Sequence, residues 1–92
     1  MHTHEFNNKT FLVTGATSGI GKATALEAIH RGANVSIAAR REKELNEIFS
    51  SFPSVEIIPS DVTNENDRKR IVEKTLQRFS GIDVLVNAAG II

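Results

Sequence analysis

Three glycines in the run Thr14-Gly15-Ala16-Thr17-Ser18-Gly19-Ile20-Gly21 follow directly on the apolar stretch Phe11-Leu12-Val13. A strand that enters a glycine-rich turn and leaves it as a helix aims backbone N–H groups and the positive end of a helix at one point. That arrangement suits the paired negative charges of a pyrophosphate. In this reading Gly15 allows the tight turn, Gly19 lets phosphate oxygens approach the backbone, and Gly21 lets the helix lie against the sheet. Glycines so spaced also occur in plain turns; the strand before and the helix after favour the phosphate reading.

Three further places carry polar groups that chemistry could use. The first is the end of the next apolar run, where a site for NAD usually offers a carboxylate to the ribose 2′-hydroxyl. Here Ala39 is followed by Arg40 and Arg41. Guanidinium groups match a phosphate with paired donors, so the expected cofactor is NADP rather than NAD, with Arg40 the better candidate. The alternative is a solvated basic start to a helix, with Arg41 simply exposed. The second place is Asp61, which could accept a hydrogen bond from an adenine amino group or could serve its own turn or cap a helix. The third is Asn87-Ala88-Ala89-Gly90. Small residues there let a cofactor lie against the backbone, and Asn87 either bridges neighbouring loops or braces the strand ends.

The elements that must hold these groups alternate along the chain. Strands are expected at Thr10 to Thr14, Asn34 to Ala39, Val55 to Pro59 and Ile82 to Val86. Helices are expected at Ile20 to Arg31, with Gly32 beyond its end, at Arg41 to Phe52, stopped by Pro53, and from the Asp61–Asn64 connection to about Phe79. Leu45, Ile48, Phe49 and Phe52 recur at helical spacing, and Ile71, Val72, Thr75, Leu76 and Phe79 are the expected inner face of the third helix. Thr63 or Asn64 is its expected N-cap, and Ser80-Gly81 closes it. Near-continuous apolar strands such as Val84-Leu85-Val86 read as parallel and buried on both faces. The fold class is therefore α/β, a partial Rossmann-type doubly wound parallel sheet of about four strands in the order 3-2-1-4 with three helices.

Composition narrows the field of partners. With 92 residues and a formal net charge of zero, the chain has no basic stripe for nucleic acid. It has no cysteine for disulfides or thiolate metal sites. His2 and His4 lie in a polar arm over residues 1–9 and His30 stands alone, so no metal site is expected. No apolar stretch is long enough to span a membrane, and a cytoplasmic protein is expected.

Taken in order, Thr14-Gly15-x-x-x-Gly19-x-Gly21, Asp61-Val62 and Asn87-Ala88-Ala89-Gly90 resemble the N-terminal half of the short-chain dehydrogenase/reductase family. The resemblance runs from about Lys9 to Ile92. It implies that the glycine segment, with Ser18 and Ile20 along it, holds the pyrophosphate of NADP(H). It further implies that Arg40 selects NADP, that Asp61 and Val62 contact the adenine, and that the Asn87–Gly90 segment supports the sheet beside the adenosine ribose. The activity implied is oxidoreduction of a carbonyl/alcohol pair.

Two departures stand out. Ala88 replaces the second Asn of the family's Asn-Asn-Ala-Gly. The family's catalytic Ser, its Tyr-x-x-x-Lys pair and its assisting Asn all come after the position of Ile92, and the sequence contains no tyrosine. No catalytic residue is assigned, and no substrate. Residues 1–92 are expected to be the cofactor-binding half-domain of a longer reductase. The alternative is a natural short NADP-binding or interaction module without catalysis. Either way the fourth strand would be an uncovered edge, open to self-association.

Overall fold

The computed structural model describes residues 5–17 and 19–88. Strands and helices alternate as β1 (Thr10–Thr14), α1 (Gly19–His30), β2 (Asn34–Ala39), α2 (Glu42–Phe49), β3 (Val55–Pro59), α3 (Glu65–Phe79) and β4 (Val84–Asn87). All pairings are parallel, and the sheet runs β3-β2-β1-β4. This is the partial Rossmann-type sheet that the sequence pattern implies.

The two-residue period of the strands divides the core between two faces. Phe11, Val13, Val35 and Ile37 meet Ala25 and Ala28 of α1 and Leu45 and Phe49 of α2. Leu12, Ala38 and Ile58 point the other way, onto Ile71 of α3. The chain thus lays α1 and α2 on one face and crosses to place α3 on the other before β4 pairs with β1. Residues at the foot of the β1–β4 pair fix its register. The Asp83 carboxylate accepts from the Thr10 amide at 2.8 Å, and the Asp83 amide donates to the Thr10 carbonyl at 2.8 Å.

Helix boundaries follow local chemistry. α1 ends one residue earlier than expected, at His30, in a paired-bond cap. The Ala33 amide donates to the Ala28 carbonyl and the Gly32 amide to Ile29, both at 3.0 Å, with Gly32 at φ 91°. α2 stops at Phe49 rather than Phe52: the chain tightens into a turn in which the Phe52 amide donates to the Phe49 carbonyl at 3.1 Å, and Pro53 disfavours helical backbone at Phe52. Phe52 still packs on the core. Asn64, not Thr63, caps α3, its side chain accepting from the Asp67 amide at 3.0 Å. At the other end Ser80, not Gly81, takes the left-handed conformation, with φ 68°.

Two expectations about burial need correction. Ile71 and Thr75 of α3 are buried, but Val72 and Leu76 are 41% and 45% exposed. In β4, Leu85 is 64% exposed, so this strand is not buried on both faces. The reason is shared: among the described residues nothing packs over β4 on the α3 side, and β4 is an edge.

The segment before β1 is also not a purely polar arm. Phe6 packs at 5.2 Å centroid distance from Phe11, and its amide donates to the Arg31 carbonyl at 2.7 Å. The Arg31 guanidinium lies 5.7 Å from the Phe6 ring centre and pairs with both Glu5 and Glu27. His2 and His4 fall outside the described residues.

Two side chains sit against their surroundings in ways that substitution can test. Ser36 is fully buried in β2 and its hydroxyl has no hydrogen-bond partner among the described residues. Replacing it by alanine removes an unpaired polar atom, so Ser36→Ala should raise stability by about 1 kcal/mol. Ser80→Gly removes a side chain from left-handed backbone and should add about 1 kcal/mol. Urea unfolding curves check both; a lower midpoint for either variant contradicts the reading.

Candidate functional site

The ladders of the sheet extend past its strands at the carboxyl edge. The Gly15 amide donates to the Ala38 carbonyl at 2.8 Å, the Ser60 amide to Ala39 at 2.7 Å, and the Ala88 amide to Thr14 at 3.1 Å. The Thr14 hydroxyl donates to Asn87 Oδ1 at 2.9 Å. Asn87 is therefore a brace between the ends of β1 and β4, and the four strand ends are held level. The loops that leave them open onto one edge.

The glycines do distinct things there. A Cβ on Gly21 would lie 2.3 Å from the Gly15 carbonyl oxygen, 2.9 Å from its carbon and 3.1 Å from the Ala88 Cβ. Only glycine lets the first turn of α1 rest on the end of β1 this closely. Gly19 has φ 58°, yet a Cβ there would meet nothing within 4 Å. The surface over the first turn of α1 is open, with Ile20 beside it 60% exposed. The amides of a first helical turn have no partners inside the helix, so this open surface offers donors to an anion.

Next to it lies a cleft of about 330 Å³. Gly15 and Thr17 form one wall. The end of β2, Ala38 to Arg41, forms the floor and mouth, and Ser60, Val62 and Thr63 close the far side. Arg40 and Asp61 face each other across the mouth, with Arg40 Nη2 3.2 Å from Asp61 Oδ1. The Asp61 carboxylate also accepts from the Thr63 hydroxyl at 2.6 Å and the Thr63 amide at 2.9 Å. These two bonds, and then Arg40, hold its pKa below the ordinary carboxylate value. Arg41 pairs with Glu44 one turn along α2, at 3.1 Å.

A second hollow, of about 250 Å³, opens on the α3 face between Leu12, Ile71, Val72 and Leu85, and shares Val62 with the first.

Gly15, Gly19, Ile20, Gly21, Arg40, Asp61, Val62, Asn87 and Ala88 thus share the carboxyl edge. Ser18, Ala89 and Gly90 lie outside the described residues. Sequence reasoning missed Thr17 in the cleft wall and the service of Thr63 to Asp61. An acid two residues before a threonine is the signal for such a turn. Among the described residues no three His, Cys, Asp or Glu side chains form a group that could hold a metal ion. No helix among them is long and apolar enough to cross a membrane.

Known proteins share this arrangement. Residues 9–92 match the family model described as short chain dehydrogenase. The chain is 38% identical over 96 residues to 11-beta-hydroxysteroid dehydrogenase A of Sesamum indicum, covering 99% of this chain and 28% of the relative. Among solved structures, a short-chain dehydrogenase/reductase of Caenorhabditis elegans with cofactor superposes with a TM-score of 0.82 at 37% identity, over 87% of this chain and 32% of that one. The 3-ketoacyl-(acyl-carrier-protein) reductase of Brucella melitensis, complexed with NADH, gives a TM-score of 0.82 at 28% identity, covering 87% and 34%. The chain belongs to the short-chain dehydrogenase family. It spans about a third of the length of these relatives.

The close approach at Gly21 has a measurable consequence. Gly21→Ala must push apart two backbone segments and should cost about 2 kcal/mol. Gly19→Ala meets only backbone strain and should cost about 1 kcal/mol. Urea midpoints that rank the two the other way contradict the packing described.

Proposed function

We propose that this short-chain dehydrogenase binds NADP(H) at the carboxyl edge of its sheet, in the service of carbonyl/alcohol oxidoreduction. The observation that carries the proposal is Arg40. It stands at the end of β2 and lines the cleft, at the place where a dinucleotide site meets the 2′ position of the adenosine ribose. The carboxylate that would suit a 2′-hydroxyl is missing from that position. The Brucella reductase, by its name, was captured with NADH. Cofactor choice therefore has to be argued from this chain's own residues.

The residues fit the cofactor. Gly15, Ser18, Gly19, Ile20 and Gly21 would hold the pyrophosphate over the open first turn of α1, and Arg40 would take the 2′-phosphate. Asp61 and Val62 would line the adenine, and Asn87, Ala88, Ala89 and Gly90 would border the ribose. When bound, the nicotinamide supplies or accepts a hydride. This chain's residues bind and orient. The sequence contains no tyrosine, and the family's proton donor is a tyrosine. The 92 residues alone should therefore bind cofactor without turning substrate over.

Three further elements belong to the same proposal. Residues 1–92 act as one cofactor-binding half-domain. The edge of β4, with Val84 and Leu85 exposed, supports self-association. A cytoplasmic location rests on composition alone.

Fluorescence titration with NADPH and NADH tests the cofactor. The protein should bind NADPH at least roughly tenfold more tightly, and Arg40→Met should remove that preference while leaving NADH affinity nearly unchanged. Equal affinities in the unsubstituted protein would sink the NADP reading. The preference should weaken as pH falls through about 6, where the 2′-phosphate dianion takes up one proton and becomes a monoanion. Asp61 has a lowered pKa, so its pairing is intact above the ordinary value of 3.8 and is lost only at lower pH. A preference unchanged between pH 8 and pH 5 would mean that phosphate charge does not set it.

A further inference from the structure

We propose that Asp61 is the positioning residue for Arg40, and that through it the Asp61–Thr63 turn sets how strongly this chain prefers a 2′-phosphate to a 2′-hydroxyl. The proposal rests on the reading of the cleft as an NADP site.

The two members of the pair differ in freedom. The Arg40 side chain is 70% exposed, and a long exposed arginine loses conformational freedom when it is held for a ligand. Asp61 is fixed from several sides. The Thr63 amide and hydroxyl both donate to its Oδ1. Its own amide donates to Asp67 Oδ2 at 2.8 Å, and the Asp67 amide donates to Asn64 Oδ1 at 3.0 Å. The Asp61 backbone is thus tied to the first turn of α3, and its carboxylate to Thr63. The register of β2 against β3 sets its distance from Arg40, since the Ser60 amide continues the ladder to Ala39 at 2.7 Å. Arg40 is the movable partner and Asp61 the post.

The contact leaves Arg40 able to work. It engages Nη2 alone, and the two Nη2 hydrogens belong to different edges of the planar guanidinium, so a contact on one of them leaves the other two-donor edge, Nε–Nη2 or Nη1–Nη2, for a phosphate. Arg40 and Thr63 both land on Oδ1 of Asp61, and among the described residues no donor reaches Oδ2. An adenine amino group on Oδ2 and the guanidinium on Oδ1 can therefore be held together. An effect through the adenine changes every adenosine ligand alike. An effect through Arg40 changes only ligands with a 2′-phosphate.

The test uses two probes that differ by that group alone, adenosine 2′,5′-bisphosphate and adenosine 5′-monophosphate, with affinities measured by calorimetry. The readout is the ratio of the two dissociation constants. Asp61→Asn keeps an acceptor for the Thr63 amide and should preserve the turn while losing the ion pair. An exposed pair of this kind should be worth a drop in the ratio of roughly three- to fivefold. In an Arg40→Met background the same substitution should leave the ratio unchanged. A ratio unaltered by Asp61→Asn alone would overturn the proposal and leave Asp61 an adenine contact only. A ratio that rises would also overturn it, because the carboxylate would then be repelling the phosphate. If the unsubstituted protein shows no preference for the bisphosphate, the NADP reading itself fails and this inference with it.

Discussion

How closely α1 approaches the end of β1 governs everything at the carboxyl edge of the sheet. Gly21 sits where any side chain would strike the Gly15 carbonyl. That contact brings the first turn of α1 over the sheet, with its unpaired amides facing the space above Gly19. It also sets Ala88 beneath the helix, where a small residue suffices. Without it, the helix would have to stand off the sheet, and the cleft beside Arg40 would lose its Gly15–Thr17 wall. The extended ladders matter in the same way. Because Gly15 and Ser60 both bond back to the end of β2, the three loops that line the cleft leave the sheet in register.

Charge at this edge is balanced pairwise. Arg40 faces Asp61, and Arg41 faces Glu44 along its own helix. Arg41 is thereby tied to the start of α2, as the solvated-helix reading of that residue would have it. Arg40 is tied across the cleft to another loop. Both pairs are exposed, so each contributes little to folding. Their importance lies in where they hold a guanidinium relative to the cleft mouth.

The fold was largely legible in the sequence because local signals and long-range pairing agree. Apolar runs alternate with amphipathic helices, and the glycines fall where strand meets helix. What the pattern could not show was which apolar residues find cover. Val72 and Leu76 share helical spacing with Ile71 and Thr75, but periodicity reports a face and not what packs on it. Val84-Leu85-Val86 reads as an interior strand, yet β4 has a neighbour on one side only among the described residues. Phe6 was hidden among polar neighbours, four residues before β1, and only the fold shows it packing on Phe11. At the site, residue types were readable and partnerships were not. Arg40 and Asp61 lie 21 residues apart in sequence, and only the β2–β3 register brings them together. Thr63 looked like a helix cap and instead serves the carboxylate two residues before it.

The proposed dinucleotide lies along the carboxyl edge, from the α1 turn across to Asp61. The most direct measurement is a titration of the isotopically labelled protein with NADP+, followed through its amide NMR signals. Saturable shifts are expected at Gly19, Gly21, Arg40, Asp61 and Val62, with the far edge, around Asp83 and Ser54, unmoved. Saturable shifts confined to that far edge or to the exposed face of α3, or no saturable shift at all, would contradict this placement.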